Sequence, residues 1–236
     1  MDFKHYIITR FNLRVHYGCE LKNPENDPMQ RILDDDYLEE RFYLFEKYTL
    51  PSIKNQTNQN FTWLVLFHRK TPEKFLKRIQ ALKKIYDFDD YYFDDGERFT
   101  DLKFCTEDEN YDLYITTRID NDDIVEKTFI ERIQDYAADN LHECVISFPN
   151  GEKLDLDTNK RYRYYINNNA FCSLIAPKGT SILRTRHTKI FEDNEGVFLK
   201  TDKPMWIATI HDSNVSNRLT DFDLQRGDID SPGFHI

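Results

Sequence analysis

The stretch Tyr111-Asp112-Leu113-Tyr114-Ile115-Thr116-Thr117-Arg118-Ile119 runs without a break into Asp120-Asn121-Asp122-Asp123. Its first nine residues carry the β-branched and aromatic side chains of a strand. In open α/β sheets, ligands bind beyond the carboxyl ends of the strands, and an acidic cluster directly after a strand stands at that place. Residues i and i+2 of an extended chain point the same way, about 6 to 7 Å apart at the backbone, so Asp120 and Asp122 can face one ligand together. Hard divalent cations such as Mg²⁺ or Mn²⁺ take carboxylate oxygens and bridge them to a diphosphate. Asp123 suits that role or the N-cap of a following helix. Arg118, a lone arginine beside three carboxylates, suits a phosphate or a locked loop.

Upstream of this stretch, apolar runs alternate with helical stripes. Residues 5–9 (HYIIT) and 61–67 (FTWLVLF) read as strands, and Tyr91-Tyr92-Phe93 as a weaker one. Asp34, Asp35 and Asp36 mark a helix start near Tyr37, with Leu38, Phe42 and Phe45 on one face. Pro51-Ser52-Ile53 opens a second short helical piece. Thr71-Pro72-Glu73 reads as a cap followed by proline at the first helical position, with Phe75, Ile79 and Leu82 as the stripe. Phe129, Ile130, Ile133 and Ala137 mark a further helix. Strand and helix in alternation predict a mostly parallel sheet with helices on both faces.

Downstream the pattern changes. Residues 144–148 and 161–176 read as strands without intervening helices, and Asn150-Gly151 as the turn of a hairpin. This half predicts a small antiparallel extension. The expected organisation is one domain over 1–236: a nucleotide-binding half over 1–140, an acceptor-side half over 141–214, and a polar tail over 215–236.

The net charge of −10 argues against nucleic acid as a partner, because phosphate backbones call for a basic face. No apolar run is long enough to span a bilayer. No signal-peptide architecture opens the chain, which sets a cytoplasmic expectation. Cys19, Cys105, Cys144 and Cys172 are scattered, and read as reduced thiols.

Four features together resemble a known family. They are Ile8-Thr9-Arg10-Phe11-Asn12; Arg41-Phe42-Tyr43-Leu44-Phe45-Glu46 with Leu50-Pro51-Ser52-Ile53-Lys54-Asn55-Gln56-Thr57; Phe61-Thr62-Trp63; and Thr117-Arg118-Ile119-Asp120-Asn121-Asp122-Asp123. The last is similar to the DxD signature of GT-A glycosyltransferases, and the whole resembles the bacterial putative rhamnosyltransferase family, near the large inverting GT-A group. The resemblance implies a GT-A, Rossmann-like nucleotide-diphospho-sugar transferase fold. It also implies Mn²⁺ or Mg²⁺ as cofactor, a nucleotide-diphospho-sugar donor and a saccharide or lipid-linked acceptor. The sequence departs from the group where His68-Arg69 follows the second strand in place of an acidic residue that would contact the base.

The same resemblance implies His211 as a further metal ligand with Asp120 and Asp122, against a simple strand-end histidine. Asn214, Asn217 and Arg218 lie close by in sequence. Arg10 and Asn12 leave the first strand where nucleotide contacts fall in this fold. The cluster Arg184, Arg186, His187, Lys189 suggests an anion, the leaving diphosphate or a phosphorylated acceptor, or contact with a membrane, or else a solvated strand. Inverting transfer needs a general base, and Glu192 and Asp193 resemble the late acidic pair of inverting enzymes, against an ordinary turn. Tyr162, Tyr164 and Tyr165 suit an acceptor groove or edge packing. Two other classes use the same carboxylates: a nucleotidyltransferase or phosphohydrolase, and a non-catalytic sugar- or nucleotide-binding domain.

Overall fold

A computed structural model describes residues 3–13, 31–103, 111–212, 214 and 219–220. The expected tail over 215–236, Asn217, Arg218, Cys19 and Cys105 lie outside them, apart from residues 219–220.

The first strand, β1 (Phe3–Arg10), lies inside a sheet of seven, with Tyr6, Ile7 and Ile8 almost fully buried. It pairs in parallel with β2 (Thr62–His68) on one side and β4 (Leu113–Arg118) on the other. β2 in turn pairs in parallel with β3 (Asp89–Phe93). Beyond β4 come β9 (Cys172–Ala176), β6 (Cys144–Ser147) and β10 (Gly196–Phe198). Only β9 runs against its neighbours, so the sheet is mostly parallel. Leu64, Val65, Leu66 and Phe67 are all fully buried, as the continuous apolar run requires of a strand covered on both faces.

On one face pack α1 (Asp35–Leu44), α2 (Leu50–Lys54), α3 (Glu73–Leu82) and α4 (Phe129–Asp139), against Ile7, Phe11, Val65, Phe67 and Ile115. Phe11 is sealed there by Phe42 at 4.5 Å and Phe67 at 5.0 Å between ring centroids. On the other face α5 (His187–Asp193) and the turn Ile182–Arg184 cover Tyr6, Ile8, Leu66 and Tyr114. A second sheet, ordered β5-β11-β7-β8, joins β5 (Ile124–Val125), β11 (Trp206–Ile210), β7 (Asn150–Asp155) and β8 (Lys160–Tyr165).

Several local expectations are corrected. Pro51 stands in the first turn of the short helix α2, as expected, but no loop separates α2 from α1. The chain stays helical from α1 to α2 through a π-helical turn at Phe45–Thr49, and that widening accommodates a residue without an N–H. Thr71 does not cap α3; its hydroxyl bonds to the His68 carbonyl, and Pro72 holds the N-cap position. Asn150-Gly151 is not a turn but the start of β7, where Gly151 lies under the Trp206 ring. The hairpin turn falls further on, at Asn159, whose φ of 55° is the left-handed conformation that Asn tolerates. The segment at His187 is helical, not a strand.

His5 shows the cost of burying a titratable group. Its Nε2 lies 2.7 Å from Thr117 Oγ1, and Gln134 Nε2 donates to its Nδ1 at 3.1 Å. Burial pulls its pKa down to about 3. The folded protein therefore keeps His5 neutral while the unfolded chain takes up a proton near pH 6.5. Stability from this group is fully present above pH 6.5 and drains as pH falls toward 3. Between pH 6.5 and 5 the wild type should lose about 2 kcal/mol more unfolding free energy than His5→Gln. Urea melts at the two pH values read this, and equal losses would mean that His5 protonates in place.

Candidate functional site

Parallel strands β1 and β4 leave the sheet side by side, with Ile8 opposite Arg118 in register. Their carboxyl ends therefore deliver Arg10, Arg118 and residues 119–123 to one place. That loop is fastened from three directions. Asn121 Nδ2 donates to the Phe11 carbonyl at 2.9 Å, tying it to β1. Thr49, in the π-helical turn, donates its hydroxyl to the Asp123 carbonyl at 2.9 Å. Thr209, on β11, donates to the Asp122 carbonyl at 3.0 Å and, through its backbone N–H, to Asp123 Oδ1 at 3.3 Å. The loop is thus held in one shape by non-local bonds.

The carboxylates divide between two settings. Asp120 meets two arginines: Arg118 Nε and Nη2 donate to it at 3.0 and 2.5 Å, and Arg10 Nη2 lies 3.8 Å away. Burial would raise its pKa, but Arg118 and then Arg10 outweigh burial and hold it well below the usual carboxylate range. His187, at the start of α5, faces the same cluster. Burial and then Arg118 push its pKa down against Asp120, which favours the neutral imidazole. Asp123 is pushed well up, by burial first and then by Asp122 and Asp120, which favours its neutral form.

Asp122 meets a different group, from α1 and the end of β11. Arg41 Nη1 donates to its Oδ2 at 3.0 Å and to Asn121 Oδ1 at 3.2 Å. His211 Nε2 lies 3.0 Å from the same Oδ2 and 3.2 Å from Arg41 Nη2. Asn214 Nδ2 lies 2.9 Å from that Nε2, and its side-chain oxygen accepts the His211 N–H at 2.8 Å. Arg41 Nη2 also lies 3.4 Å from Nδ1, so the guanidinium faces the ring between its two nitrogens. Nδ1 looks toward Glu40 Oε1 at 3.6 Å.

The fit to a divalent cation turns on this pair. Adjacent ligands of an octahedral Mg²⁺, each about 2.1 Å from the ion, stand about 3.0 Å apart. Asp122 Oδ2 and His211 Nε2 have that separation, and both are suitable donors. Among the described residues, no three His, Cys, Asp or Glu side chains converge on one point. The protein therefore offers two ligands, which leaves positions for phosphate oxygens and water, as Mg²⁺ sites in phosphate-handling enzymes do. Asp120 lies with the arginines rather than with this pair.

The remaining expected residues scatter. Asn12 is buried and spent on protein partners: Oδ1 accepts from the His68 N–H at 3.0 Å, and Nδ2 donates to Ile32 O and Thr71 Oγ1, both at 3.1 Å. It fastens a corner and offers no free group to a ligand. Arg186 is exposed at the residue before α5. Glu192 and Asp193 close that helix and pair with Lys189 at 3.2 and 2.9 Å, at the opposite end from His187. Tyr162 is buried, while Tyr165 stands exposed on edge strand β8.

Two site residues escaped the sequence reading. His187 was seen only as one charge in a basic cluster. Arg41 entered only as part of a stretch that carries the family resemblance, with no site role, on the apolar stripe of α1 four residues from both Tyr37 and Phe45. An arginine on a buried face is the one local signal that it had a partner waiting.

Comparisons agree with this architecture. Residues 4–221 match the family described as "Putative rhamnosyl transferase". Similar solved structures include S. aureus TarS 1-349 in complex with UDP-GlcNAc, at 10% identity and TM-score 0.51, covering 90% of this chain and 59% of that one. The chain thus spans about three fifths of that relative. A second is a putative nucleotide-diphospho-sugar transferase from Desulfovibrio desulfuricans G20, at 11% identity and TM-score 0.38, covering 84% and 80%. A search of curated proteins returned no match. The fold is the GT-A type, with its mostly parallel sheet flanked by helices. Among the described residues no helix is long and apolar enough to cross a membrane.

Proposed function

We propose an activity for this chain, which belongs to the family described as "Putative rhamnosyl transferase": transfer of a sugar from a nucleotide-diphospho-sugar to a saccharide or lipid-linked acceptor. The observation that carries it is the geometry at the carboxyl ends of β1 and β4. There three guanidinium groups, Arg10, Arg41 and Arg118, meet two carboxylates that favour the ionised form or pair with a cation, Asp120 and Asp122. Asp123, favouring its neutral form, adds little opposing charge. The balance suits a diphosphate.

In this reading Asp122 and His211 hold Mn²⁺ or Mg²⁺. When bound, the ion would offset the charge that gathers on the departing nucleoside diphosphate. Arg118 is oriented by Asp120 and stands ready for a phosphate oxygen. The loop 119–123, pinned by Thr49 and Thr209, keeps these groups in place without reorganisation, which is where such sites gain most. Inverting transfer also needs a base that takes the acceptor proton as the hydroxyl attacks the anomeric carbon; Asp193, with Glu192 beside it, is paired with Lys189 at 2.9 Å at the far end of α5 from His187, and fills that role only with an acceptor that reaches this end of the helix. Rhamnose is the first sugar to try, on the family's description. A bacterial surface polysaccharide or its lipid-linked precursor is the matching acceptor class, reached from the cytoplasm at the inner membrane face.

A thermal-shift panel of nucleotide sugars, with and without Mn²⁺, tests the reading. One nucleotide class should raise the melting temperature in a Mn²⁺-dependent way, and a donor at 100 times its Kd adds about 2.7 kcal/mol. No shift with any nucleotide sugar would overturn it.

A further inference from the structure

Arg41 lies across the same two atoms that would hold the cation. Its Nη1 is 3.0 Å from Asp122 Oδ2 and its Nη2 3.2 Å from His211 Nε2. The side chain is 7% exposed, and its guanidinium carbon lies 5.6 Å from the Tyr37 ring centroid. A guanidinium cannot give up its proton at accessible pH, so it cannot make way by becoming neutral.

We propose that Arg41 is the resident counter-cation of the Asp122–His211 pair, and that Arg41 and a divalent cation occupy those two atoms alternately. The inference rests on the metal reading above and adds a residue to it. Without the ion, the buried Asp122 carboxylate has His211 Nε2 3.0 Å away and Arg41 as its counter-charge. With the ion, Oδ2 and Nε2 are both spent on it, and a guanidinium within about 3 Å of a dication is repelled. Arg41 must then swing off the pair. It is thus a positioning residue that lowers the affinity for free metal ion and keeps the loop ordered until the ion arrives.

Direct Mn²⁺ binding, followed by electron paramagnetic resonance with no nucleotide present, tests this on the full chain. Arg41→Met keeps the bulk against Tyr37 and removes the charge. It should bind Mn²⁺ about tenfold tighter than wild type, because no buried ion pair has to be broken. Arg118→Met, one charge removed from the neighbouring carboxylate, should gain no more than about threefold through the general field. Asp122→Asn should abolish binding in either background. Unchanged or weaker binding in Arg41→Met, or an equal gain in Arg118→Met, overturns the role of Arg41 and leaves the metal reading standing. Absence of Asp122-dependent Mn²⁺ binding in every form overturns both. Should Arg41→Met fail to fold, nitrogen-15 spectra of the wild-type arginine side chains replace it. Mg²⁺ should shift the Arg41 signals and leave those of the exposed Arg69 in place; unmoved Arg41 signals at saturating Mg²⁺ contradict the proposal.

Discussion

Asp122→Asn should lower sugar-transfer turnover by about three orders of magnitude, the scale of losing one preorganised charge at a reacting diphosphate. The substitution keeps the shape and can still accept from Arg41. It removes the charge that faces Arg41 Nη1 at 3.0 Å and His211 Nε2 at 3.0 Å. It also takes from buried Arg41 its ion pair with Asp122, and breaking one side of a buried pair costs about 3 to 5 kcal/mol. A loss of activity alone is therefore ambiguous between chemistry and folding. The double variant Asp122→Asn with Arg41→Met separates them, since it removes the other charge of the pair as well. Its melting temperature should recover while its turnover stays low. Recovery of both would mean that Asp122 serves the fold and not the reaction.

Gly151→Ala should cost about 3 kcal/mol, lowering the melting temperature by roughly 10 °C for a domain of this size. A Cβ at Gly151 would fall 2.2 Å from Trp206 Cε2, inside the indole. The ring has little room to retreat. It stacks on Phe171 at 4.5 Å between centroids, donates Nε1–H to the Phe148 carbonyl at 2.7 Å, and is 1% exposed. The effect reaches the site because Trp206 begins β11, the strand that carries Thr209 and leads directly into His211. Trp206→Leu in the Gly151→Ala background should return part of the loss. A drop under about 2 °C in Gly151→Ala would show that β7 and β11 can part at no cost.

How far the sequence spoke depended on how local the cause was. Strands β1, β2 and β4 were legible because burial on both faces writes itself as a continuous apolar run, as in Leu64–Phe67. The position of Asp120 and Asp122 followed from the strand before them, and His211 came only as what the family resemblance implies. Arg41 did not follow, because its partners lie 81 and 170 residues away. Nothing in α1 alone says which loop will meet it. Asn150-Gly151 misled because a turn-forming pair also suits a strand where a ring presses on the backbone. The π-helical turn before Pro51 was hidden for a similar reason: tertiary packing of Phe45 and Leu50 holds the helix through a residue that would end an isolated one. The separation of Asp120 from the Asp122–His211 pair was equally invisible, since Arg10 and Arg118 draw Asp120 aside only once β1 and β4 stand side by side.

The site itself is tested most directly by a crystal of the full chain grown with Mn²⁺ and a nucleoside diphosphate, with data collected at a wavelength where manganese scatters anomalously. The account predicts an anomalous peak bonded to Asp122 Oδ2 and His211 Nε2 and to diphosphate oxygens, with the Arg41 guanidinium moved off both atoms. Manganese bound elsewhere, or a diphosphate seated away from the ends of β1 and β4, would contradict it.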